Sequence, residues 1–338
     1  MKHKFKVLMF SSVLALYACD RKNDTSEHSS ASKNPTIQFN ADHMMKHLEQ
    51  FQDIAQQHGG NRAVGTEGGK ASANYILEQA QKSGFTVKTY AFQNREKTVG
   101  QNIIVEIPGQ SEDKIVLMGA HYDSVKSGPG INDNASGVAV LIELMNQIHQ
   151  NKIQPKHTLH LAFWDSEEVG IAGSQDYVKN LKSEQLKKIK AYINLDMVGT
   201  KNPDILIADG DHSSVDEMEK MLKERGMKEA DYKTLTDGLR GLPTHAGDLA
   251  LENHLKDFFK QKNLKIKEDL SILTASDTAP FLGKVPVSSI ILFKEEMKGN
   301  ELYFAPCYHQ ACDTIDLVDP KSLKLAGEAL NDLLGHIE

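Results

Sequence analysis

The chain has 338 residues, 40% hydrophobic and 25% charged, with a formal net charge of −7. That length and composition suffice for one large core, and the acidic balance argues against a nucleic-acid partner. Loss of Lys2, Lys4 and Lys6 with a cleaved leader would take the charge three units lower, from −7 to −10. No sustained repeat and no second long apolar span follow the N-terminal run.

The N-terminal run, MKHKFKVLMFSSVLALYAC, has a basic start, a short apolar core and small residues before Cys19. It reads as a signal peptide over residues 1–18, too short for a stable membrane span. Leu16-Tyr17-Ala18-Cys19 resembles a bacterial lipobox. The resemblance implies that Cys19 is lipidated and heads an exported cell-envelope lipoprotein anchored in the membrane. Asp20 then resembles the signal that keeps such proteins at the periplasmic face of the inner membrane. Ordinary cleavage nearby is the alternative. Arg21 to Pro35 is polar and lacks large apolar residues, so residues 19–36 are expected to be the lipidated cysteine and a disordered tether.

The remainder, 37–338, reads as one domain. Apolar residues recur at helical spacing over about 41–58 and 67–83, and strand-like runs follow at 86–93, 101–107 and 114–121. Three strands without an intervening helix suggest antiparallel pairing on one side, and alternating helix and strand thereafter suggests parallel pairing. The fold class is α/β, a three-layer sandwich whose central sheet is mixed, mostly parallel, and flanked by helices.

DKIVLMGAHYDSV runs as a strand into His121 and Asp123, where a parallel strand delivers side chains to a cleft. SGPGINDNASG is a loop that sets Asp133 just before an apolar helix spanning Ala135 to Ile148. A helix N-cap is the plain reading of that aspartate. LHLAFWDSEEVG then ends an apolar run in Glu167-Glu168, and IKAYINLDMVG ends one in Asp196. The charged stretch 201–274, helical in pattern at 214–226 and 246–261, is expected to rim the cleft, and FAPCYHQACDTID brackets His309 between Cys307 and Cys312.

Adjacent carboxylates closing a buried strand add desolvation to like-charge repulsion unless cations or protons offset both. A solvated turn is the ordinary reading of any Glu-Glu pair. Here metal-ligand residue types recur in separate segments, and imidazole mixed with carboxylate suits Zn²⁺ better than Ca²⁺ or Mg²⁺. His121, Asp133, Glu168, Asp196 and His309 are too many for one tetrahedral zinc with an open position. Two zinc ions sharing a carboxylate fit the number. His157, His160, His212, His245 and His254 read as solvated or ordinarily hydrogen-bonded residues. Of the three cysteines, Cys19 belongs to the leader, and Cys307 and Cys312 are expected to pair in an exported protein. Free thiols or thiolate ligands are the alternative.

These motifs together resemble the co-catalytic di-zinc aminopeptidase family of secreted bacterial leucyl-type enzymes, related to glutaminyl cyclases and transferrin-receptor ectodomains. The resemblance runs from GGNRAVGTEGGKASANYILEQ through HYD, NDNASG, SEE and NLDMVG to SDTAPF and CYHQACDT. It implies that Asp133 bridges two zincs, with His121 and Asp196 completing one shell and Glu168 and His309 the other. It leaves Glu167 as the general base of peptide hydrolysis, Asp123 as the carboxylate orienting His121, and Tyr308 as a partner of the oxyanion. Residues 37–338 are then the catalytic domain, acting on peptides with a free amino terminus. Ala275 departs from the family pattern, which often has a basic residue there, as does Thr278, where His or Tyr is common. Arg240 is a candidate replacement cation, with a surface role as the alternative. Glutaminyl cyclisation, carboxypeptidase or dipeptidase activity on the same fold, and a receptor-like binding ectodomain that is no enzyme, are the competing functions.

Overall fold

The computed structural model describes residues 37–298 and 301–338. The leader, the lipobox with Cys19 and the tether lie outside the described residues. Among the described residues no helix is long and apolar enough to cross a membrane.

Two helices open the described chain, α1 (Ala41–Gln57) and α2 (Glu67–Ser83). Both start where the sequence supplies a cap: Asn40 Oδ1 accepts the Asp42 and His43 amides, and Thr66 Oγ1 accepts that of Gly69. Then come β1 (Thr86–Gln93), β2 (Val99–Ile107), β3 (Ser111–His121), α3 (Ser136–Gln150) and β4 (His157–Trp164). They are followed by α4 (Ala172–Asn180), α5 (Ser183–Lys188), β5 (Ile189–Asp196) and β6 (Asp204–Ala208). Next are α6 (Ser214–Glu224), α7 (Glu229–Arg240), α8 (Asp248–Gln261), β7 (Ile266–Asp269) and α9 (Ser271–Thr274). The chain closes with β8 (Val287–Phe293), a hairpin of β9 (Glu295–Lys298) and β10 (Glu301–Phe304), and α10 (Pro320–His336).

Eight strands form one mixed sheet in the order β1-β2-β4-β3-β5-β8-β6-β7. The pairs β3–β4, β3–β5, β5–β8 and β6–β7 are parallel, and β1–β2, β2–β4 and β6–β8 antiparallel. The early antiparallel group therefore forms with a different partner from the one adjacency suggests. β2 pairs with β4, and β3 lies inside the parallel group.

Strand residues alternate between the two faces. Val116, Met118 and Ala120 of β3 face the core under α1, α2, α3, α8 and α10, while Leu117 joins Trp164, Tyr192 and the residues under α4 and α9. Gly119 is needed where Trp164 crosses β3, because a Cβ there would meet Trp164 Nε1 at 2.3 Å. The segment 201–274 was expected to rim a cleft. It adds β6 and β7 to the sheet and carries α7, which the helical pattern did not anticipate. With β3, β4 and β5 parallel, His121, the turn after Trp164, and Asp196 emerge at one edge of the sheet.

Candidate metal centre

Asp133 reaches that edge through a close backbone approach. Gly137, in the first turn of α3, leaves room where a Cβ would stand 2.6 Å from the Leu195 carbonyl oxygen. Asn134 Oδ1 accepts the amides of Gly137 at 3.0 Å and Met197 at 3.2 Å, which ties the start of α3 to the end of β5. The side chain beside the helix start that meets these amides is thus Asn134. Asp133 turns the other way, between two imidazoles.

His121 Nε2 is 3.3 Å from Asp133 Oδ1 and 3.6 Å from Asp196 Oδ1. His309 Nε2 is 3.2 Å from Asp133 Oδ2 and 3.1 Å from Glu168 Oε2. The structure thus brings all five candidate ligands together in two sets that share one carboxylate. Ligands at about 2.0 Å in a tetrahedral shell stand about 3.3 Å from one another, so the spacing suits zinc. Buried Asp133 Oδ2, Glu168 Oε1 and Asp196 Oδ1 accept no hydrogen bond, which a cation would remedy.

The electrostatics agree. Burial alone would lower the pKa of His121, but contacts with Asp123, Asp133 and Asp196 outweigh it and hold it well above the ordinary value. His309, also opposed by burial, is raised to about 10 by Asp133 and Glu168. Asp133 would rise on burial yet falls below the usual carboxylate range beside the two imidazoles. Burial, then the charge of Asp133, lifts Glu168 to about 7.

Glu167 sits one residue from the ligand set and lines the same cavity of about 260 Å³ as His121, Asp133, Asp196 and His309. Burial first, then repulsion from Asp277, Asp196 and Glu168, hold its pKa well above normal against the pull of His121. Asp123 is fully buried, and its two carboxylate oxygens accept the amides of Glu167 at 3.1 Å and Glu168 at 3.3 Å. Its Oδ1 also lies 3.4 Å from His121 Nδ1, and its backbone oxygen 3.2 Å. The aspartate therefore orients the Glu-Glu turn as well as the imidazole. Tyr308 stacks on His309, with ring centroids 3.7 Å apart, and lines the cavity. The Cys307–Cys312 disulfide is present and closes the loop that carries His309. Arg240 does not line the cavity; it pairs with Glu219 and Asp216 of α6, and Ala275 leaves its cavity position uncharged.

Two functional supports escaped the sequence reading. Arg62 is fully buried and donates to the carbonyl oxygens of Tyr122, Pro129 and Gly130, bracing the loop between His121 and Asp133. Asp313 accepts the Asn132 amide at 2.9 Å and the Asp133 amide at 3.0 Å. Burial raises its pKa to about 7. Its position four residues past His309 was the available signal.

Residues 102–334 match peptidase family M28. The chain belongs to peptidase family M28. As a member of M28 it is 32% identical over 295 residues to leupeptin-inactivating enzyme 1 of Streptomyces exfoliatus, covering 84% of this chain and 59% of that protein. It is 31% identical over 269 residues to the probable lipoprotein aminopeptidase LpqL of Mycobacterium tuberculosis, covering 76% of this chain and 49% of the relative. The M28 chain thus spans about half the length of these curated relatives. Its fold resembles that of a zinc aminopeptidase from Bacillus subtilis, with TM-score 0.65, 17% identity, and 88% and 94% of the two chains covered. A Bacteroides thetaiotaomicron glutaminyl cyclase is equally similar in fold, with TM-score 0.64, 19% identity, and 90% and 100% covered.

Proposed function

We propose that this chain is a zinc-dependent aminopeptidase that removes the first residue of peptides with a free amino terminus. The observation that carries the reading is the division of Asp133, one oxygen toward His121 and the other toward His309. His121 and Asp196 would hold one zinc and His309 and Glu168 the other, with Asp133 common to both. Bound there, the ions would supply Lewis acidity toward the peptide carbonyl and acidify a water.

The rest falls to the chain's own groups. Glu167, with an elevated pKa and a place in the cavity, takes a proton from the attacking water and returns it to the departing amine. Asp123 keeps Glu167 in place through its amide and fixes the His121 ring. Tyr308 donates its hydroxyl to the oxygen on which negative charge develops. The names of the relatives support the substrate class.

Export as a lipoprotein anchored through Cys19 at the periplasmic face of the inner membrane belongs to the same proposal. It draws support from the Cys307–Cys312 disulfide, which fits an oxidising compartment, and from the lipoprotein relative.

The test is hydrolysis of free, N-acetylated and C-amidated forms of one peptide with zinc present. Loss of cleavage on acetylation alone supports the aminopeptidase; loss on amidation alone indicates a carboxypeptidase. Ring closure of a glutaminyl peptide without hydrolysis indicates the cyclase.

A further inference from the structure

The cavity continues beyond the ligands along the sheet. The registers of β5, β8, β6 and β7 place Asp196, Ile291, Leu206 and Lys267 in one lateral row, and cross-strand partners share a face. Ile291 and Leu206 line the cavity with Met197, Ile272 and Phe293, so its wall here is apolar. Asp269 lines it too, on the edge strand two residues past Lys267 and therefore on the same face. Lys267 itself is exposed, with Nζ 3.6 Å from Asp204 Oδ2. Among the described residues that line the cavity there is no Lys or Arg.

We propose that Asp269 is a specificity-determining residue, which makes the enzyme accept peptides whose first residue is lysine or arginine. The inference rests on the aminopeptidase reading above. Three strand spacings separate β5 from β7, roughly 14 Å across the sheet. The bond from a carbonyl carbon beside Asp196 to the first Cα, an extended lysine side chain and one hydrogen bond cover about 11 Å, and the Asp269 side chain reaching back from β7 covers the remaining ~3 Å. The aliphatic stem lies along the apolar wall and the ammonium meets the carboxylate, as amphipathic cations commonly do. Leucine fills only the near part of the wall. Asp269 already engages another group of the fold, and a carboxylate keeps lone pairs for a further donor.

The test compares 4-nitroanilides of lysine and norleucine at about pH 8, where the lysine side chain is charged. Norleucine keeps the stem and lacks the ammonium. The expected ratio of kcat/KM, lysine over norleucine, exceeds one in the wild type, falls about tenfold in Asp269→Asn and recovers most of that in Asp269→Glu. The ratio is taken within one preparation, so the folded fraction cancels. A ratio that Asp269→Asn leaves within twofold of the wild type overturns the proposal. If the variants do not fold, a wild type that prefers norleucine overturns it unaided, and one that prefers lysine supports it. A zinc-loaded wild type that cleaves neither substrate, nor leucine 4-nitroanilide, overturns the aminopeptidase reading instead.

Discussion

Among the described residues two clusters of largely buried acidic side chains stand out, and they solve the same electrostatic problem differently. Asp209, Glu252 and Glu268 converge near the starts of α6 and α8, and Lys256 bridges two of them, contacting Glu252 and lying 2.7 Å from Glu268. Asp209 accepts the amides of Ser213 and Ser214, and Glu252 that of Gly210 at 2.7 Å. In that cluster the chain itself supplies the cation: Glu252 Oε1, which accepts no hydrogen bond, meets the Lys256 ammonium as an ion pair. Around Asp133 the described side chains provide no lysine, and the neighbouring arginine, Arg62, is committed to carbonyl oxygens. Asp133 Oδ2, Glu168 Oε1 and Asp196 Oδ1 there accept no hydrogen bond. A cluster of carboxylates is thus informative when it lacks an internal cation and contains imidazole, and uninformative when a lysine completes it.

The largest expected effect sharpens the first half of that contrast. Glu167→Gln should lower kcat by about 10³-fold or more while zinc content stays at the wild-type value, because the amide cannot carry the proton but removes no ligand. Metal analysis and steady-state kinetics on one sample check it; normal turnover would remove Glu167 from its role. The second cluster is broken by Lys256→Met, which leaves Glu252 buried without its cation. Destabilisation of about 2 kcal/mol is expected in urea unfolding, with zinc content unchanged.

An effect of similar size follows from the loop that holds His309. Replacing Cys307 and Cys312 together by serine should cost about 2 kcal/mol and weaken zinc binding, because the short closed loop constrains the ligand. A chelator competition series compares the two proteins; equal zinc affinity would show that the loop holds its shape unaided.

An effect confined to acid pH concerns His47, a buried group kept neutral. Its Nδ1 lies 2.6 Å from Tyr75 Oη, and burial first, then His43 and Lys82, lower its pKa to about 4. Below about pH 6.5 the unfolded state takes up a proton that the folded state refuses. Stability from this group is therefore complete above that pH and is lost as pH falls toward 4, by about 3 kcal/mol. His47→Gln should flatten that part of the stability curve, measured by urea unfolding at successive pH values; an unaltered slope would deny the depressed pKa.

How much of this was readable from sequence depends on where each residue sits. His121, Glu167, Glu168 and Asp196 each follow an apolar strand, so a change from hydrophobic to chemical residue types marked them. His309 was marked by its flanking cysteines. The partner of β2 was not legible, because adjacency in the chain carries no information on insertion of β4 between β2 and β3. β6 and β7 are short and lie in a charged stretch, so neither carried a strand pattern long enough to read. Arg62 and Asp313 act through backbone carbonyls and amides. Such contacts leave no periodic trace, and a buried arginine looks like any other in a polar motif.

The central claim is that Asp133 serves two metal positions at once. Its most direct test is calorimetric titration of zinc into metal-free wild type and Asp133→Ala. The wild type should take up two equivalents per chain, and Asp133→Ala should lose high-affinity binding at both positions. A single equivalent in the wild type, or a variant that keeps one site at full affinity, would contradict the account.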